Sequence, residues 1–154
     1  MSIKELIIRQ FEACYHKDTW YVSMHTAVKN LNAKDAVAKS ASDNHSIFEL
    51  VAHLYFFNKL ELNRFKGIPD SIKIQSSEDS FQTNDDWEQL VSKMMQLFSE
   101  WITEVENSKE QRIIDNLESF QYMNLHNAYH IGQIVHIRKE LGLWDSTHGV
   151  HYRT

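Results

Sequence analysis

Two histidines four residues apart, His126 and His130, are the side chains whose type and spacing most directly suggest chemistry in this chain of 154 residues. They lie in the stretch HNAYHIGQIVHIRKELG, whose apolar residues recur with the period of an amphipathic helix. At about 100° per residue, both fall in the middle of the apolar stripe, whereas His136 lies about 80° to 120° away from them. The sequence therefore predicts that His126 and His130 face the interior and that His136 lies at the surface or at an interface.

A third histidine, His53, has the same placement on another predicted helix. Its neighbours on the apolar stripe of that helix are Leu50, Phe56, Phe57 and Leu60. Burying an imidazole without a hydrogen-bond partner costs about 1 to 3 kcal/mol, so three inward histidines on two helices need a common explanation. A divalent cation shared by an i,i+4 pair and a third imidazole on a facing helix provides one. The sequence therefore predicts a metal site formed by His53, His126 and His130.

Three protein ligands leave a coordination position open, which is typical of catalytic rather than structural metal sites. The metal could be zinc, nickel, manganese or iron, because imidazole suits several ions and affinity alone does not select one. The H-x-x-x-H pair is not a metalloprotease motif, since Asn127 stands where H-E-x-x-H requires a glutamate. The alternative is that the histidines are satisfied by hydrogen bonds in an ordinary core.

Two polar residues near the histidines could assist such a site. Gln133 follows His130 by three and could orient metal-bound water or substrate, or it could be an ordinary polar residue at the edge of the stripe. Glu49 lies one turn before His53 and could be a base or a fourth ligand. However, Ser46 and Glu49 form the S-x-x-E pattern of a capping box, which already gives this carboxylate a role, and we favour the cap.

The remaining residues with reactive or titratable side chains have simpler interpretations. Cys14 falls on the apolar stripe of the first predicted helix, where a small buried side chain is expected rather than a nucleophile. Asn127 and Tyr129 project away from the site and are expected to serve packing or an interface. Five further histidines show no common spacing and are predicted to be solvated: His16, His25, His45, His148 and His151.

The elements that must position these residues are helices. The chain has only 4 Gly and 1 Pro and shows no strand-like alternation. Caps and periodicity predict four helices: Ser2 to about residue 30, 46–65, one within 83–108, and Ser119 to Gly142. The connections 31–45 and 66–84 are long, which indicates loops near a functional end or crossovers. We therefore expect an all-α four-helix bundle that forms a single domain over residues 1–154.

Charge and hydropathy exclude several classes of function. A net charge of -5 without a basic stripe argues against a nucleic-acid partner. No apolar stretch approaches the roughly 20 residues needed to span a membrane, and acidic residues interrupt the region where a signal peptide would be apolar. A lone cysteine cannot form an internal disulfide. We expect a cytoplasmic protein.

Two stretches together resemble the DinB-like (YfiT-like) family of metal-dependent enzymes. They are HSIFELVAHLYFFNKLELNRFKG and HNAYHIGQIVHIRKELGLW, separated by a helix that begins with a tryptophan. The resemblance runs through nearly the whole chain. Its specific part is a histidine on the second helix with H-x-x-x-H-x-G-Q on the fourth, and these positions are filled here by His53, His126 and His130.

The resemblance implies an up-down-down-up four-helix bundle and a divalent metal, often zinc or nickel, held by those three histidines. Dimers are common in the family, so it also implies a homodimer. Some members of the family are transferases or isomerases that use small thiols such as bacillithiol or mycothiol, and others are described as hydrolases. The leading hypothesis is therefore a metal-dependent small-thiol S-transferase or hydrolase whose substrate is a small molecule, with a low-molecular-weight thiol as one candidate. The alternatives are a non-catalytic metal-binding or ligand-binding protein and a dimeric interaction protein of the same fold.

Overall fold

The computed structural model describes residues 1–71 and 73–150. Within these ranges the chain is helical and contains no strand, which confirms the all-α prediction. The α-helices are α1 (Ile3–Tyr15), α2 (Met24–Val28), α3 (Ala33–Val37), α4 (Ile47–Lys66), α5 (Trp87–Asn107), α6 (Glu110–Asp115) and α7 (Leu117–Glu140). Two short 3-10 helices cover Ser77–Phe81 and Ser146–His148.

The four long helices α1, α4, α5 and α7 pack around a common apolar core. α1 runs antiparallel to α5, because Phe11 stacks on Trp101 while Tyr15, one turn later on α1, stacks on Phe98, which precedes Trp101 on α5. These aromatic pairs lie 5.1 and 5.9 Å apart between ring centroids, within the range in which aromatic rings attract each other.

α4 runs parallel to α5 and antiparallel to α7. Phe48 lies against Trp87 near the start of both helices, and Phe65 lies against Trp101 further along both. Phe65 also packs against Phe120 in the first part of α7, whereas residues early in α4 meet α7 nearer its middle. The directions are therefore up, down, down and up for α1, α4, α5 and α7, as predicted.

The first predicted helix is wrong in its length, because α1 ends at Tyr15 rather than near residue 30. The carboxylate of Asp18 accepts hydrogen bonds from the backbone N–H of Ser23 at 2.8 Å, from its hydroxyl at 2.9 Å and from the Thr26 hydroxyl at 3.0 Å. These bonds hold a turn, and Ser23 then caps the separate helix α2. The apolar spacing continues past the turn because α2 buries Met24, Ala27 and Val28 in the same core.

The second long connection is a crossover. α4 ends where Gly67 adopts a left-handed backbone with φ of 75°, which glycine tolerates best. Since α5 runs parallel to α4, the chain between them must return along the length of the bundle. The 3-10 helix Ser77–Phe81 of this returning segment packs against α4, so the crossover brings side chains to the face of α4 that carries His53.

A buried pair of amides fixes α4 against α7 beside the histidines. Asn58 and Asn127 are fully buried, and their side chains exchange hydrogen bonds of 2.6 and 3.1 Å, while the Asn58 amide also donates to the Leu54 carbonyl at 2.8 Å. Asn127 thus serves packing between helices, one of the two roles that its position predicts. The amide pair sets the register that places His53 opposite the histidines of α7.

We expect Asn127→Ala to lower the free energy of unfolding by about 1 to 3 kcal/mol, because it leaves a buried amide of Asn58 without its partner. Replacing both residues, as in Asn58→Leu with Asn127→Leu, should cost less than the sum of the two single changes to leucine, since no polar group is then left unpaired. Urea unfolding of the single and double variants measures this. Strictly additive losses would contradict the proposed coupling.

Candidate metal centre

The three predicted histidines lie together between α4 and α7. His126 and His130 are one turn apart on α7, and His53 faces them from the antiparallel α4. Their ring centroids are 4.6 to 5.1 Å apart, and one nitrogen from each ring lies within 4.8 Å of the others. The Nε2 atoms of His53 and His126 are separated by 3.1 Å. In a tetrahedral zinc site the ligand nitrogens lie roughly 3.3 Å apart, so small rotations of these rings would suit a metal.

The hydrogen bonds around His53 fix which of its ring nitrogens carries the proton. The hydroxyl of Ser80 donates to the backbone carbonyl of Ser77 at 2.6 Å, and a carbonyl can only accept. The Ser80 oxygen therefore accepts from Nδ1–H of His53, at 2.7 Å. This leaves the Nε2 atom of His53 unprotonated and directed toward the other two histidines, which is the form that binds a metal.

His130 is held in the same tautomer by a different chain of groups. The carboxylate of Asp43 can only accept, so the Gln133 amide must present its NH2 group to it, at 2.6 Å. The Gln133 oxygen consequently faces His130 and accepts from its Nδ1–H at 2.8 Å. Gln133 thus contacts the ring of His130 through Nδ1–H, which leaves Nε2 as the unprotonated nitrogen of that ring.

Burial and mutual proximity keep the three imidazoles neutral. Burial lowers the pKa of His53 to about 4, and the neighbouring His130 and His126 act in the same direction. The pKa of His126 falls to about 4 for the same two reasons, burial first and His130 second. Burial also lowers the pKa of His130. Neutral imidazoles near pH 7 are what a divalent cation requires, because a protonated ring cannot bind it.

Aromatic rings form the walls of the cluster. The ring of Phe81 lies between two imidazoles, with its centroid 4.3 Å from that of His53 and 3.8 Å from that of His45. The ring of Phe57 makes T-shaped contacts with His53 and with His126, at centroid distances of 4.9 and 5.7 Å. The surroundings of the three histidines are therefore apolar on these sides, which strengthens electrostatic interactions inside the site.

The prediction for His45 is wrong in part, because this side chain is only 24% exposed and stacks on Phe81. It precedes α4, so the helical projection of that helix does not extend to it. The prediction is wrong in part for His148 too, which is only 26% exposed. His16 and His25 are exposed as predicted, and His151 lies outside the described residues.

Glu49 and His136 have the roles that the sequence predicts for them, a helix cap and a surface position. Glu49 forms the capping box, with its carboxylate accepting from the Ser46 N–H at 2.7 Å and from Lys39 at 2.7 Å. His136 is 62% exposed and lies 3.6 Å from the carboxylate of Glu140, away from the other histidines of α7.

Cys14 is fully buried in the core, as predicted, and its sulfur lies 3.3 Å from the Tyr21 hydroxyl. Burial raises the pKa of this thiol to about 11. We expect native protein at pH 8 to react with a disulfide reagent at least about 100-fold more slowly than urea-unfolded protein, because both thiolate fraction and access are reduced. Since this is the single cysteine in the chain, a colorimetric thiol assay reports on it alone. Native and unfolded rates within tenfold of each other would contradict a buried, protonated thiol.

Sequence reasoning missed Asp43, Ser80 and Phe81. All three lie on connections rather than on the long helices, so no helical period marks them. The available signal was the unusual length of the connections 31–45 and 66–84, together with their content of Ser, Asp and Asn.

Among the described residues, none of the helices combines the length and the apolar character that crossing a membrane requires. Comparison with known proteins gives one family. The sequence profile of the DinB superfamily matches residues 18–134, a range that includes His53, His126 and His130 and well over half of the chain. No curated protein and no solved structure matches significantly. Because the profile matches most of its length, the chain belongs to the DinB superfamily.

Proposed function

We propose that this chain is a divalent-metal-dependent enzyme whose metal is held by His53, His126 and His130. The observation that carries the proposal is the convergence of three neutral imidazoles, two of which are fixed by hydrogen bonds that leave their Nε2 atoms unprotonated. Zinc or nickel suits this donor set best, and manganese or iron are the other candidates. Because all three ligands are neutral, the bound cation would keep its full positive charge.

The proposed reaction is S-transfer from a small thiol or, in the second variant, hydrolysis. A cation held by three protein nitrogens has room for an exchangeable ligand, and it would lower the pKa of a thiol or a water molecule. In S-transfer the sulfur forms a bond to an electrophilic carbon, the leaving group departs with the bonding electron pair, and the thiol proton passes to solvent. In hydrolysis, water takes the place of the thiol.

The residues around the histidines would position and shield the reaction. Ser80 and Gln133 orient two of the rings, as their hydrogen bonds require. Phe57 and Phe81 cover the imidazoles with apolar surface and limit the access of bulk water. Glu49 is left out of the chemistry because its carboxylate is engaged by the helix cap and Lys39.

The test is a set of turnover assays on protein loaded with zinc or nickel and on the same protein treated with a chelator. Conjugation of a small thiol to an electrophile and hydrolysis of ester and amide substrates are followed side by side. We expect metal-dependent turnover in at least one assay and its loss in His126→Ala. Metal binding without turnover in any assay would contradict an enzyme and favour a non-catalytic metal-binding protein.

The homodimer and the cytoplasmic location stay predictions. On α7 the side chains of Tyr122, Leu125 and Tyr129 are 59 to 71% exposed, so an apolar surface is present on the outside of the bundle. Sedimentation equilibrium measures the oligomeric state directly. A monomer at micromolar concentration would remove the dimer from the proposal and leave the metal site unaffected, because all three histidines come from one chain.

A further inference from the structure

A groove leads away from the histidine cluster along the surface between α4 and α7. Its cavity has a volume of about 300 Å³ and is lined by Phe57 and Glu61 of α4 and by Ser119, Tyr122, Met123 and His126 of α7. This volume is at the lower end of the range for small-molecule sites. Because His126 belongs both to the histidine cluster and to the lining of the groove, the groove borders the candidate metal site.

The groove continues the row of side chains that forms the site. His53, Phe57 and Glu61 recur every four residues on α4, and therefore lie along one side of that helix. On the antiparallel α7, Ser119 and Met123 precede His126 at similar spacing. At 1.5 Å per residue, the eight residues from His53 to Glu61 correspond to about 12 Å. The groove thus has a fixed length between the histidines and a carboxylate.

The middle of the groove is apolar and its far end is anionic. Phe57 and the largely buried Met123 form the walls next to His126. At the far end, one oxygen of Glu61 accepts from the Ser119 hydroxyl at 3.0 Å, and the other pairs with Arg64. Arg64 also pairs with Asp70 at 3.2 Å, so one guanidinium serves two carboxylates and a negative charge remains in excess.

A second carboxylate lies near the same end of the groove. The Tyr122 hydroxyl, on the wall of the groove, donates to Glu118 at 3.3 Å. A ligand that fits these features has a head that binds the metal, an apolar middle and a positively charged end. The charge balance disfavours a carboxylate at that end, because it would face Glu61 and Glu118.

We propose that this groove is the subsite for the substrate tail, and that it selects a small thiol carrying a protonated amine about 12 Å from the sulfur. The inference rests on the proposed metal-dependent function and adds the class of substrate to it. Phe57 and Met123 contact the apolar part of the tail, and Glu61 binds the amine.

The test uses cobalt-loaded full-length protein, in which thiol binding is read from the thiolate-to-cobalt absorption band. Three series of graded length are titrated: ω-aminoalkanethiols, uncharged alkanethiols and ω-mercaptoalkanoates. We expect the aminothiols that span the groove to bind about 3- to 10-fold more tightly than uncharged thiols of equal length, as a partly buried ion pair allows. Short aminothiols, which end before Glu61, should show no such preference.

Glu61→Gln should abolish the preference for long aminothiols, and Glu106→Gln is the matched control, because it removes the same charge from an exposed position on α5. The wild-type length series needs no variant to fold and tests the subsite independently. Equal affinities for amine-bearing and uncharged thiols of every length would overturn the subsite while leaving the metal site intact. A chain that takes up no cobalt would contradict the metal site and the subsite together.

Discussion

His126→Ala will weaken zinc binding by about 100- to 1000-fold and abolish the thermal stabilisation that zinc gives the wild-type chain. Zinc bound by four protein ligands contributes about 10 to 16 kcal/mol, or roughly 2.5 to 4 kcal/mol for each ligand, which sets the size of the expected loss. His53→Ala and His130→Ala should have effects of similar size, since each supplies one of the three converging nitrogens.

Calorimetric titration with a competing chelator measures the affinities, and thermal unfolding measures the stabilisation. At a zinc concentration of about 100 times the Kd, the wild-type chain should gain about 2.7 kcal/mol of stability. His136→Ala is the matched control, because this histidine is on the same helix but is 62% exposed and lies away from the other two histidines of α7. A loss of affinity in His136→Ala equal to that in His126→Ala would contradict the assignment of ligands.

Ser80→Ala and Asp43→Ala will each lower the metal affinity by about 10- to 100-fold, although neither side chain reaches the metal position. Without Ser80, the Nδ1–H of His53 loses its acceptor, and the ring is free to rotate or to change tautomer. Without Asp43, the Gln133 amide is no longer held in the orientation that fixes His130. We therefore expect the metal affinity to fall because the rings of His53 and His130 are no longer held in the orientation that suits a metal.

The matched control for both changes is Ser42→Ala, because Ser42 is exposed on the same connection as Asp43 and bonds to Glu140 instead. Its metal affinity should stay within about twofold of wild type. Nitrogen NMR of the imidazole rings adds a readout that a merely destabilised fold would not give. We expect the Nδ1–H tautomer of His53 in the wild-type chain and a mixture of tautomers in Ser80→Ala. Unchanged tautomers and affinity in both variants would contradict the proposed positioning.

The placement of the histidines followed from the sequence because the helical period alone determines which residues share a face. His53, His126 and His130 all lie within helices long enough for that period to hold, and His136 was separated from them by the same rule. The capping boxes at Ser2 and Ser46 set the starts of α1 and α4 for an equally local reason.

The groups that orient the histidines could not be found in this way. Asp43 and Ser80 reach the site from connections, and their positions depend on how the chain crosses the bundle rather than on any local pattern. The end of α1 was missed for a related reason: the hydrogen bonds of Asp18 break the helix, while the apolar spacing continues into α2. Tertiary contacts therefore determine both the positions of Asp43 and Ser80 and the end of α1.

Metal stoichiometry tests most directly whether three histidines of one chain form a metal site. Elemental analysis by mass spectrometry is made on the full chain as purified and after dialysis against zinc or nickel. We predict one tightly held metal ion per chain in the wild type and its loss in His53→Ala, His126→Ala and His130→Ala. A wild-type chain that holds no metal after dialysis, or full occupancy in all three variants, would contradict a metal site formed by these histidines.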